Sequence, residues 1–242
     1  MDHFTIFQDF YRVIAEMTEE EIVSAISNGT YRETVEDVRR IFAEQGEKAA
    51  NEKKIELPEI TFSANYRGGR SNATLVKYLG YIVVDIDHQT QEALARILAL
   101  AKKCAHTRIA FISPKGMGLK IVVRVCRTDG TLPETIQEIE DFHHAAYHKI
   151  ASFYAQLCGV EVDTSGQDVS RTCLFFYDPD IYFNPDATAV IVEQPPMFFK
   201  SQKKKRASGK KKKTTAPDNN PLTEQVALNY HSSHASLMVT LN

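Results

Sequence analysis

The chain has 242 residues, 29 Lys and Arg against 31 Asp and Glu, a formal net charge of −2, and 43% hydrophobic residues. That balance suits a globular fold with a sizeable core. No apolar run approaches the ~18 residues of a membrane span, and no basic segment leads into an apolar one at the N-terminus, so no membrane partner and no signal peptide are expected.

Charge and cysteine placement narrow this further. Residues 200–213 hold nine Lys and Arg and no acid, which leaves 20 basic against 31 acidic residues, a net −11, for the remainder. A grip on nucleic acid by the body of the protein must therefore be a local patch. Cys104, Cys126, Cys158 and Cys173 form no CxxC pair. That argues against a zinc ribbon or redox motif and fits reduced thiols in a cytoplasmic protein.

In chain order, the N-terminal third reads as helical. Thr18 and Glu21 make a capping box ahead of Ile22, Val23 and Ile26, and Gly29 stops that helix. A second helix is expected over 33–47, with Val35, Val38, Ile41 and Phe42 on one face. Extended segments follow at 59–66 and 81–87, separated by the polar loop 67–72. A helix is expected over 91–103, strands over 108–113 and 119–125, a long helix over 133–157, and short strands near 160–163, 172–177 and 189–192. Strands interleaved with helices define an α/β (mixed α+β) core, a mixed sheet with flanking helices and an N-terminal helical portion. One domain is expected over 1–195, a basic linker over 196–221 and a short tail over 222–242.

Asp85 and Asp87 end the apolar strand that starts at Tyr81. Side chains alternate along a strand, so both carboxylates emerge on one face about 7 Å apart. Two facing carboxylates call for a compensating cation, and hard oxygen ligands suit Mg2+ or Mn2+. The plainer reading is a strand that ends in a solvated turn. Replacing both by Asn is expected to relieve repulsion and leave the metal-free protein no less stable.

The turn from Ser113 to Lys120 contributes Lys115, Gly116, Gly118 and Lys120: glycines that permit close backbone approach and lysines that attract phosphate. It lacks Walker A spacing, and taken alone an ordinary glycine hairpin with solvated lysines is the plainer reading. Asp163 ends another short apolar run, and Arg171 beyond it can contact phosphate in bidentate fashion. Asp178 and Asp180 read as turn residues.

Other candidates are weaker. His144 and His148, four apart on the long helix, could share zinc, but no Glu of an H-E-x-x-H motif stands between them. They read as surface or core histidines. His88 reads as a supporting or capping group, and Arg67 and Arg70 as solvated loop arginines.

Together, Asp85-Ile86-Asp87, the turn ending in Gly118-Leu119-Lys120, and Val162-Asp163 resemble the three motifs of the archaeo-eukaryotic primase superfamily. With Leu57 to Ser63, His88 and the stretch from Asp163 to Arg171, they look more narrowly like the N-terminal domain of virulence-associated E proteins, carried on bacterial mobile elements. The resemblance covers residues 4–195. It implies a primase-polymerase-like nucleotidyltransferase of mobile-element replication, with catalytic and metal-ligating Asp85, Asp87 and Asp163. Ser113, Lys115, Gly116, Gly118, Lys120 and Arg171 would hold nucleotide. The implied partners are nucleoside triphosphates, a single-stranded nucleic acid template and a helicase-like domain or protein. Lys120 departs from the pattern, which commonly has His there. An inactive nucleotide- or nucleic-acid-binding module and a metal-dependent nuclease or phosphoesterase are the alternatives, and Asp168 is the substitute for Asp163.

Overall fold

The N-terminus is a β-hairpin where a helix was expected. The computed structural model describes residues 2–193. Strands β1 (His3–Phe7) and β2 (Val13–Thr18) lead into helices α1 (Glu19–Ser27), α2 (Arg32–Gln45) and α3 (Glu47–Lys54). Local periodicity misses β1 because four of its five residues are buried, which hides any alternation, and because it pairs β3 some 55 residues downstream. The Thr18–Glu21 capping box starts α1. Gly46, at φ +86°, ends α2 close to where the second helix was expected to end, and α3, which was not expected, begins just beyond it.

Strands β3 (Glu59–Thr61) and β4 (Ala64–Tyr66), β5 (Leu75–Tyr78) and β6 (Tyr81–Ile86) follow, then α4 (Gln91–Lys103), β7 (Thr107–Ile112), β8 (Leu119–Cys126) and α5 (Ile136–Cys158). Short strands β9 (Cys173–Leu174), β10 (Tyr182–Phe183) and β11 (Val190–Ile191) complete the order. The stretch 160–163, expected to be a strand, is irregular. The basic segment 200–213 and the expected boundaries near 195 and 221 lie outside the described residues.

The fold is a mixed α/β arrangement on three sheets. The larger sheet has the order β10-β7-β8, with β6 on the other side of β8 and β11 added in parallel at its end. A second sheet runs β2-β1-β3-β9, and β4 pairs β5. Alternation along β6 and β8 separates two cores. Ile82, Val84, Ile86, Ile121 and Val123 pack under α4 and α5 with Leu94, Ile97, Phe142 and Ile150. On the opposite face Tyr81, Ile109, Phe111 and Val122 pack with Phe4, Ile6, Phe62, Ile22 and Phe176. Among the described residues no helix is long and apolar enough to cross a membrane, and all four cysteines are free.

The second core holds one buried ion pair. Arg108 on β7 donates through Nε to Glu19 Oε1 at 2.7 Å and through Nη2 to Glu19 Oε2, and both side chains are under 10% exposed. Removing one partner leaves an uncompensated buried charge, whereas replacing both removes the charge altogether. We expect Glu19→Met or Arg108→Met alone to lower unfolding free energy by about 3–5 kcal/mol. The double substitution should cost less than either single one in urea denaturation.

Candidate functional site

The two-residue period that sends Ile82, Val84 and Ile86 into one core sends Asp85 and Asp87 to the opposite face, where the second core ends and a cleft opens. On β8 the same period puts Lys120 on that face, and the register makes it the direct cross-strand partner of Asp85. The Lys120 ammonium donates to Asp85 Oδ2, and each side chain is 15% exposed. Asp85 Oδ1 is buried with no hydrogen-bond partner. Burial opposes the charge on Lys120, yet Cys173, Asp85 and Asp87 outweigh it and hold the lysine pKa above its ordinary value.

The turn between β7 and β8 is closed by Ser113 N–H to Gly118 O (2.8 Å) and Gly116 N–H to Ser113 O (2.9 Å). The Gly116 amide is thus spent inside the turn. A side chain at Gly118 would lie 2.7 Å from Asp87 Oδ1 and 3.0 Å from the Ile86 carbonyl oxygen, so only glycine lets this turn close on the acid. From α2, Arg39 holds the turn in place by donating to Pro114 O (3.0 Å) and Tyr177 O (2.9 Å).

The cleft measures about 450 Å³, and its lining mixes the cations Lys54, Arg70, Lys115, Lys120 and Arg171 with the acids Glu59, Asp85, Asp87 and Asp168. Lys115 is tied to Glu47 at 2.5 Å, a contact that pulls the Glu47 carboxyl below its usual range. Arg70 pairs with Glu59 at 2.8 Å and donates to Thr172 Oγ1 at 2.9 Å, while its Nε is buried without a partner. Lys54 has no ion-pair partner among the described residues. Burial, with Lys115 and Lys120 nearby, pushes its pKa down.

Asp85, Asp87, Ser113, Lys115, Lys120 and Arg171 line the cleft, as does the substitute Asp168. Gly116 and Gly118 shape the turn without lining it. Asp163 does not line it either. Its backbone N–H reaches the Asp85 carbonyl at 3.1 Å, and its carboxylate accepts from Ser165 N–H (2.8 Å) and Ser165 Oγ (2.7 Å). Those two bonds hold its pKa low. Among the described residues, no three His, Cys, Asp or Glu side chains are grouped to hold a metal ion. Sequence reasoning missed Lys54, which carries no motif, gave Glu59 no role although it lies in the Leu57–Ser63 stretch, and set Arg70 aside as a solvated loop residue.

An aromatic pair stands beside the cleft. At the hairpin tip Phe10 and Tyr11 are 45% and 75% exposed, with ring centroids 4.8 Å apart. The Arg70 guanidinium lies 5.0 Å from the Phe10 ring and 5.6 Å from the Phe7 ring, linking this tip to the cleft.

The fold and site together define a mixed α/β domain with an acid-and-cation cleft at the end of a strand pair. Residues 52–183 match the family model of the BT4734-like N-terminal domain, and the chain belongs to that family. Neither a curated protein nor a solved structure matches it. The family match corrects the likeness to virulence-associated E proteins. The motifs that carried it, from Leu57 to Arg171, all fall inside the matched segment, and strings of a few acids and glycines are too short to separate families.

The lysine reverses the expectation that removing the acid pair is harmless. With Asp85 neutral, the half-buried Lys120 ammonium loses its partner. We expect Asp85→Asn to destabilise the protein by about 1–3 kcal/mol in urea denaturation. Adding Lys120→Met should restore most of that loss.

Proposed function

We propose that the cleft binds the phosphates of a nucleoside triphosphate together with a divalent cation, and that the domain carries out nucleotidyl transfer along a single-stranded nucleic acid. The observation that carries this reading is that, of the three cleft-lining residues with a buried atom lacking a hydrogen-bond partner, Asp85 and Arg70 remain unserved, whereas Glu59 Oε2 has the Arg70 guanidinium at 2.8 Å. Asp85 Oδ1 is a buried acceptor without a donor, and Arg70 Nε is a buried donor without an acceptor. Each such group left unpaired costs about 1–3 kcal/mol. A metal-bound phosphate offers a cation to the first and an anion to the second.

The donor set around Asp85 is carboxylate oxygen, which fits Mg2+ or Mn2+. Asp85 and Asp87 would hold the ion. Bound there, it would supply Lewis-acid polarisation of a phosphoryl oxygen. The chain's own residues do the rest. Lys54, Lys115 and Arg171 neutralise phosphate charge, with Arg171 offering a bidentate fork. Phe10 and Tyr11 give unpaired bases a surface on which to stack, and Arg70 gives the adjoining backbone a cation.

A second reading is a binding module without turnover, and the Asp85–Lys120 pair favours it. The ammonium already neutralises the carboxylate that a metal would need, so ion and lysine compete for one residue.

One pair of measurements separates the two. Mg2+ with nucleoside triphosphate should raise the melting temperature of the full chain, since a ligand that binds only the native state stabilises it, by about 2.7 kcal/mol at 100 times Kd. Arg171→Ala should weaken that binding about tenfold, equivalent to ~1.4 kcal/mol. With a single-stranded template and Mn2+, wild type should extend nucleotides and Asp87→Asn should not. Binding without extension selects the second reading, and no metal-dependent shift at all removes both.

A further inference from the structure

Helix α5 carries a second constellation, outside the cleft. His144 and His148 are both exposed, one helical turn apart, with Nε2 atoms 3.2 Å from each other and ring centroids at 4.4 Å. From the loop that follows Asp163, Gln167 Oε1 comes within 3.0 Å of His148 Nε2. The same helix holds that loop: Tyr147 donates its hydroxyl to Asp163 O, and Gly166 packs so closely on Tyr147 that an added Cβ would sit 3.2 Å from its hydroxyl oxygen.

We infer that His144, His148 and Gln167 form a site for a borderline divalent cation of the zinc, nickel or copper kind, with water completing its shell. The distances are the first ground. Ligands about 2.0–2.1 Å from a metal lie about 3.3 Å apart in a tetrahedron and about 3.0 Å apart in an octahedron. The two contacts of 3.2 and 3.0 Å have the length of such edges.

Hydrogen bonding is the second ground. An imidazole Nε2 carries either one proton or one lone pair, so His148 Nε2 can fully serve only one of the two groups that approach it. A cation coordinated by all three atoms removes that shortage. Chemical softness is the third: two imidazoles and an amide oxygen select a metal of the zinc class, whereas the carboxylates of the cleft select a hard cation. Glu140 and Asp141 stand one turn before His144 and add negative charge on its N-terminal side.

Two histidines on one helix need a third ligand to make a site. That ligand comes from a loop 19 residues beyond His148 and is an amide, which no H-x3-H pattern contains. The loop then continues to Asp168, Ser170 and Arg171, which line the cleft. Metal at this site would tie that part of the wall to α5.

The test is zinc titration of the full chain by calorimetry with Mg2+ in large excess, so that the carboxylate cleft is already supplied. Wild type should bind one equivalent more than the double variant His144→Ala/His148→Ala, and each single variant should lose at least tenfold in affinity at that equivalent. Gln167→Glu should bind more tightly, because a carboxylate replaces a neutral ligand. Both histidines are exposed, so the variants should melt like wild type in the absence of zinc. Equal stoichiometry and affinity for wild type and the double variant would overturn the site. No gain from Gln167→Glu would overturn the three-ligand assignment.

Discussion

The cleft depends on one cross-strand pair. Asp85 faces the end of the second core, where water reaches it poorly, and an isolated charge there would be costly to bury. The register of β6 against β8 sets Lys120 opposite, and the two charges hold each other in a half-buried position. Because one cation is already committed to one acid, the remaining cations of the lining (Lys54, Arg70, Lys115 and Arg171) face three remaining acids, Glu59, Asp87 and Asp168. The result is a polar cavity near balance in a chain whose body is acidic. A bound anion there meets local cations while the general field outside repels it.

Rigidity around this pair comes from residues with no chemical role. Arg39 fastens the Ser113–Gly118 turn to α2 and to the Tyr177 carbonyl. Gln91 does the same from α4, donating to Gly116 O at 2.7 Å. The turn is therefore held on both sides, by the middle of α2 and by the first residue of α4. This support from neighbouring packed elements keeps the Asp87 carboxylate and the Ser113 hydroxyl in a fixed relation across Gly118.

The most legible parts of the sequence were those governed by a single period or a single cap. Helix α4 runs over Gln91–Lys103 as read, since its apolar stripe, Thr90 cap and closing lysines all agree. The Thr18–Glu21 box placed α1, and β6 stood out as an apolar run ending in acids. Strands β2 and β5 were not legible because they are largely exposed and show no alternation, and β1 and β10 because they are short and pair with β3 and β7, which lie far away in sequence. The same split holds at the cleft. Asp85, Asp87, Lys115 and Lys120 sit in recognisable patterns on contiguous strand and turn. Lys54 and Glu59 come from a helix end and a three-residue strand, and only the tertiary fold shows that they share a wall with Asp85. Asp163 misled for a related reason: an acid after two valines resembles a strand-end ligand, while the local Ser165 bonds that claim its carboxylate lie two residues on.

Strand β8 also sets the order in which this site can come into being. It meets β7 across the short turn 113–118, so Lys120 reaches its place beside Phe111 as soon as that hairpin zips. Strand β6 joins the other side of β8 only after the longer segment containing α4 has closed, and longer closures form more slowly. The ammonium is thus waiting on the growing sheet when the carboxylate arrives, and Asp85 enters the interior already neutralised. The barrier to assembling this cleft is lower than the desolvation of a lone acid would make it.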